Sequence, residues 1–138
     1  NAPAAHNYRD SVLYVCGDPS GAMSVMYSDN PKSGKWKAEP GILFDLQDPD
    51  LFIDDDGRAY MFWGSSNVFP IRGMELDPHR RFHPKSERKE LFGLDLDNHG
   101  WERFGENHTT DTDLGGFIEG PWLTGNGIQC IWRRSVCG

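Results

Sequence analysis

Pro3 and Pro49 stand 46 residues apart, as do Tyr14 and Tyr60, so two stretches of this chain run in one register. The first leads from Ala2-Pro3-Ala4-Ala5-His6-Asn7-Tyr8 through a polar turn, Arg9-Asp10-Ser11, into Val12-Leu13-Tyr14-Val15-Cys16-Gly17. The second leads from Asp48-Pro49-Asp50-Leu51-Phe52-Ile53-Asp54 through Asp55-Asp56-Gly57 into Arg58-Ala59-Tyr60-Met61-Phe62-Trp63-Gly64. After a longer insertion a third begins at Gly120-Pro121-Trp122-Leu123, turns at Gly125-Asn126-Gly127 and resumes with Ile128 to Trp132. Asp-Gly and Asn-Gly supply the positive φ that tight hairpins need. A further apolar run follows each of the first two hairpins, at 22–29 and 71–77, and ends in Asp shortly before a proline. Helical periodicity is nearly absent, and short strand-like runs are punctuated by Gly, Asp, Asn and Pro. Meandering strands in units of about 45–50 residues are the mark of propeller blades. The expected fold is therefore all-β, built of β-propeller blades, with blade-like units at about 2–45, 48–100 and 119–138. One blade cannot bury both of its faces alone, so blades stack around an axis; two units and the start of a third do not close a ring.

Charge and composition remove several classes of function. A formal net charge of −7 opposes a nucleic-acid partner, which needs a basic face. The one basic stretch, Arg80 to Lys89, is interrupted by Glu87 and continues into Glu90, so it is expected to be a solvated connector. No apolar run approaches the ~20 residues of a membrane span, so no membrane partner is expected. Cys16, Cys130 and Cys137 are too scattered for a disulfide framework and form no C-x-x-C pair. Cys16 and Cys130 fall inside apolar strand patterns and are expected to be buried thiols, with one disulfide left open. His79 and His83 are four apart but framed by Pro78 and Pro84, and no further ligand stands beside them, so no metal and no cofactor are expected. Phosphate-loop, dinucleotide-loop and serine-hydrolase motifs are missing from the sequence. The start at Asn1 has neither an initiator Met nor the parts of a signal peptide, which suggests a processed product or a fragment.

The blade pattern gives two carboxylates chemical meaning. In a propeller the first strand of each blade lines the central channel. Asp48 precedes Pro49 and is expected to be extended, because a residue before proline is pushed out of the helical region. Glu119 occupies nearly the same place in the next unit, one residue further from its proline. Carboxylates at matching blade starts converge on one cavity, the arrangement glycoside hydrolysis needs: an acid to protonate the leaving oxygen and a neighbour to set its pKa. Against this, Asp before Pro is a common turn initiator whose side chain bonds local backbone N–H groups. Asp54, Asp55 and Asp56 fit hairpin-turn chemistry and fail calcium-loop spacing. Five tryptophans, eight phenylalanines and four tyrosines suit a sheet core, while a sugar ring presents an apolar face on which Trp63 or Trp122 can stack. His6 and His108 are further candidates to contact sugar hydroxyls.

At these residues the chain resembles glycoside hydrolase family 43, five-bladed propellers acting on arabinans, arabinoxylans and xylo-oligosaccharides. Asp48 to Tyr60 looks like that family's blade motif with the pKa-modulating aspartate, and Glu119-Gly120-Pro121-Trp122 looks like its general-acid motif. Ala2-Pro3-Ala4 is similar to a blade start, and Gly100-Trp101-Glu102-Arg103-Phe104-Gly105-Glu106-Asn107-His108 resembles the connection leading to the acid. The likeness runs to about Ile131; related fructan-acting families carry Glu-Cys-Pro where this chain has Glu-Gly-Pro. It implies about two and a half blades of a five-bladed propeller. It also implies an inverting hydrolase of arabinose- or xylose-containing polysaccharides or oligosaccharides, with Glu119 as acid and Asp48 as modulator. The family's base aspartate comes from a preceding blade, so this chain alone is expected to lack the complete machinery. A polysaccharide-degrading parent implies an extracellular or periplasmic setting, and exposed blade edges imply self-association. The alternative reading is a non-catalytic glycan-binding or structural propeller fragment.

Overall fold

The computed structural model describes residues 4–17, 23–38, 47–109, 115–124 and 127–132. They form antiparallel strands and short 3-10 turns, with no α-helix among them. The first sheet is a meander: β1 (Ala4–Tyr8), β2 (Ser11–Gly17), β3 (Met23–Ser28) and the short edge strand β4 (Lys37–Ala38), in that order. Tyr8 pairs with Ser11, leaving Arg9 and Asp10 as a two-residue turn with Arg9 at φ 52°.

The second sheet begins with β5 (Asp50–Ile53) and β6 (Ala59–Trp63). Their turn is held by Gly57 N–H donating to Asp54 O and Asp54 N–H donating to Arg58 O. Gly57 sits at φ 84°, which its missing Cβ permits. Next, β7 (Ser65–Ser66) leaves this sheet, and β8 (Ile71–Asp77) returns to pair with β6. The far edge of β8 carries β9 (His83–Pro84) and β10 (Lys89–Phe92). The third sheet is β11 (Ile118–Thr124) paired with β12 (Gly127–Trp132), with β7 on its other side.

Strand parity explains the packing. Leu51, Ala59, Met61, Trp63 and Leu76 share one face of the second sheet and are buried against Leu13, Val15 and Val25 of the first. Ile71, on the opposite face, packs with Ile118 of the third sheet and with the partly buried Phe92 and Leu94. Both faces of the middle sheet are thus covered, as stacked blades require. Each fully buried large side chain stabilises by about 1.5–3 kcal/mol. Gly73 matters because the Phe62 ring lies over it; a Cβ there would stand 2.8 Å from the ring.

The all-β, bladed architecture expected from the repeat is what the structure shows. Cys130, Cys137 and the turn at 125–126 have side chains or backbone outside the described residues, as does the Cys16 thiol.

Candidate active site

Two backbone connections bring the carboxylate segments together. Gly64 N–H donates to Gln47 O at 3.0 Å, so the end of β6 holds the residue just before Asp48. The next residue, Ser65, pairs with Glu119 in the β7–β11 ladder, and its hydroxyl makes a long 3.5 Å bond to Glu119 Oε2. Asp48 and Glu119 therefore flank the same Gly64–Ser65 segment, one from each sheet, and both are half-buried. Gly64 is at φ 151°, and a Cβ there would lie 2.6 Å from Ile71 Cδ1.

Asp48 is not extended. Its φ is 52°, which overturns the expectation drawn from the following proline. The chain must turn sharply between the Gln47–Gly64 bond and the buried Pro49, and Asp tolerates the left-handed region better than most residues.

Glu119 owes its setting to a β-bulge. Glu119 pairs with Ile131 and Trp122 with Gln129, so Gly120 and Pro121 together oppose a single residue of β12. Gly120 is at φ 62°, the left-handed glycine that such bulges use. Without the extra residue, positions 119 and 122 would face opposite sides of the strand. With it, their register partners are two residues apart, so Glu119 and Trp122 stand on one face. Trp122 is 38% exposed, with ring surface open for stacking. Trp63 is the opposite case. At 1% exposure it lies inside the main core, so its ring offers no face to a sugar, and the substrate-binding expectation for it is corrected. Its odd-numbered place in β6 puts it in line with Ala59 and Met61.

His6 is drawn into a contact absent from the sequence reading. Its Nε2 lies 3.0 Å from Asp50 Oδ1, while Asp50 Oδ2 accepts from Leu123 N–H at 3.0 Å. Asp50 is 9% exposed and the His6 side chain 31%. One carboxylate thus ties β1, β5 and β11 together. The available signal was parity: Asp50 is an acidic residue two positions from Asp48 in a strand whose neighbours are apolar.

His108 belongs to the connection leading to Glu119. Its Nδ1 is 3.1 Å from Arg103 O, and Asn107 and His108 are both left-handed at φ 56° and 55°. That loop is fixed to the strand before Glu119 by a bridge between Arg103 and Gly116. A Cβ on Gly116 would come 2.7 Å from Glu102 O. The buried Glu102 carboxylate accepts Asp95 N–H at 2.7 Å and lies 3.3 Å from His99 Nδ1. Asp95 in turn is held below the ordinary carboxylate range, chiefly by the Asn98 side-chain amide and then by the Asn98 backbone N–H.

No protein-family model and no curated protein matches the sequence. Solved structures do match. An exo-1,5-α-L-arabinanase from a bovine ruminal metagenomic library is 23% identical with a TM-score of 0.53, over 87% of this chain and 40% of that one. The Bacillus subtilis arabinanase is 21% identical with a TM-score of 0.57, over 89% and 41%. A family 43 endo-arabinanase from Bacillus licheniformis is 23% identical with a TM-score of 0.53, over 86% and 39%. The chain spans about two fifths of the length of these proteins, and the likeness establishes a shared fold.

Proposed function

We propose that this chain supplies the acid-bearing part of an arabinan-degrading glycoside hydrolase, with Glu119 as general acid and Asp48 as the carboxylate that tunes and orients it. The observation that carries this reading is the bulge at Gly120-Pro121, which sets a half-buried carboxylate and an exposed tryptophan on one face. The fold shared with three arabinanases supports the substrate class.

In this reading a sugar ring stacks on Trp122, and Glu119 in its protonated form gives its proton to the glycosidic oxygen as the bond to the anomeric carbon breaks. Water attacks the anomeric carbon from the opposite side in a single, inverting displacement. The proton of that water passes to a base that neither Glu119 nor Asp48 provides. Asp48, on the other side of the Gly64–Ser65 segment, orients the acid. His6 and His108 bind sugar hydroxyls at the flanks.

The test is leaving-group dependence, measured in the whole protein that carries this chain. Glu119→Gln should lower kcat on arabinan by about 10²–10⁴-fold. It should lower hydrolysis of an activated dinitrophenyl arabinoside far less, because that leaving group departs without a proton. Equal losses on both substrates would remove Glu119 from the acid role. Binding of arabino-oligosaccharides with no turnover by the unmodified protein would favour the non-catalytic glycan-binding alternative.

A further inference from the structure

A cavity lies at the end of the blades opposite Asp48. Asp48 precedes the start of β5, whereas the strand ends at Ile53, which pairs with Ala59, which pairs with Leu76. The turn that follows, Pro78 to Phe82, meets the Tyr8–Ser11 turn of the first sheet around a cavity of about 270 Å³. Leu13 and Val25 contribute from the core; Tyr8, Tyr27 and Phe82 supply aromatic surface; Arg9 and Arg81 supply charge. None of the described lining residues is acidic, although the chain as a whole carries a net charge of −7.

The lining is built rather than loose. Tyr8 and Phe82 meet edge-on with centroids 5.2 Å apart, and the Arg9 guanidinium lies 5.1 Å over the Tyr8 ring. The second turn is closed by Phe82 N–H donating to Asp77 O at 2.8 Å and His79 N–H donating to the Asp77 carboxylate at 2.9 Å. Among the described residues, six other than glycine have positive φ, and three of them, Arg9, Arg81 and Phe82, line this cavity. Such conformations cost free energy and gather at ligand sites.

We propose that this cavity binds a single acidic sugar, a uronic acid residue. Its size falls just below the ~300–1,000 Å³ of drug-sized ligand sites, which suits one ring. The aromatic walls match the apolar face of a pyranose, and the Ser11 and tyrosine hydroxyls match its hydroxyl groups. The guanidiniums of Arg9 and Arg81 match its carboxylate, as planar forks that charge-assisted hydrogen bonds favour. The site is independent of the acid at Glu119, and its binding stands or falls without hydrolysis.

The experiment is titration of the chain with galacturonate, followed by calorimetry and by NMR shifts at the 8–11 and 78–82 turns. Saturable binding is expected, with the methyl ester of galacturonate and neutral galactose at least about tenfold weaker. Arg9→Gln and Arg81→Gln, both on the rim, should each weaken galacturonate about tenfold while leaving the melting temperature unchanged. Absence of saturable binding, equal binding of the neutral ester, or unchanged affinity in both arginine variants would each overturn the proposal. So would benzoate binding as tightly as galacturonate, since the hydroxyl-reading groups would then play no part.

Discussion

Replacing Asp50 with alanine tests whether one carboxylate joins three strands. The substitution removes two hydrogen bonds at once, to His6 Nε2 and to Leu123 N–H, each 3.0 Å long. Bonds to a carboxylate contribute about 1.5–3 kcal/mol when their partners cannot turn to water. The Leu123 N–H bond is part-buried between β11 and β5, and its loss is placed in that range. The His6 side chain keeps 31% of its surface and can find water, so its share is under about 1 kcal/mol. The total is about 2–4 kcal/mol, a fall of about 6–15 °C in Tm for a chain of this size. Asp50→Asn should cost less than half as much. Its amide oxygen still accepts Leu123 N–H, and its NH2 group can donate to His6 Nε2 once the imidazole proton moves to Nδ1. Urea denaturation followed by tryptophan fluorescence and by far-ultraviolet circular dichroism measures both values and checks that the transitions coincide. An Asp50→Ala cost within about 0.5 kcal/mol, the scatter of ordinary surface changes, would refute the joining role. Asparagine as damaging as alanine would refute the hydrogen-bond account.

The two tryptophans should part company: Trp63→Ala is expected to lose about 3–5 kcal/mol of stability. Trp122→Ala should stay within about 1 kcal/mol but weaken arabino-oligosaccharide binding, as denaturation and calorimetry together will tell. Gly64→Ala should cost about 2–4 kcal/mol, from the strained φ and the clash with Ile71, and its thermal melt should fall with loss of the Ser65–Glu119 pairing in amide exchange. Asp95 has a folded pKa below its ordinary 3.8, so its contribution is fully present above that value and is lost as pH falls through the lower folded pKa. Carboxyl NMR titration should show Asn98→Ala moving the Asp95 midpoint upward, and an unmoved midpoint would argue against the amide contact.

The strands that carry core residues were legible because burial imposes period two. The 71–77 run coincides with β8, and the Asp54–Arg58 turn lies where Asp-Gly chemistry put it. The edge strands β4, β9 and β10 were not read. Lys37-Ala38, His83-Pro84 and Lys89-Glu90 are polar or exposed, and only hydrogen bonding to β3 or β8 makes them strands. Trp63 looked like Trp122 as a residue type; parity within β6 separates them, and parity was available. The direction of Asp48 was not, because the Gln47–Gly64 bond that turns the chain spans a whole hairpin. The bulge at Gly120-Pro121 also depends on a partner strand, although a Gly-Pro pair inside a strand pattern is the kind of interruption that signals one.

Strand β7 links the candidate acid to the order in which the chain is made. Ser65 and Glu119 are 54 residues apart, and Asp50 and Leu123 are 73 apart. At a synthesis rate of about 5–20 residues per second, Ser65 waits roughly 3–11 s for its partner to leave the ribosome. Closing such long loops is slow compared with local hairpins. Glu119 thus reaches its final setting only when the third sheet docks, and under the proposed acid role any hydrolysis would report completed assembly. During the wait, the open side of β7 is two serines wide, too short and too polar to template a stray strand.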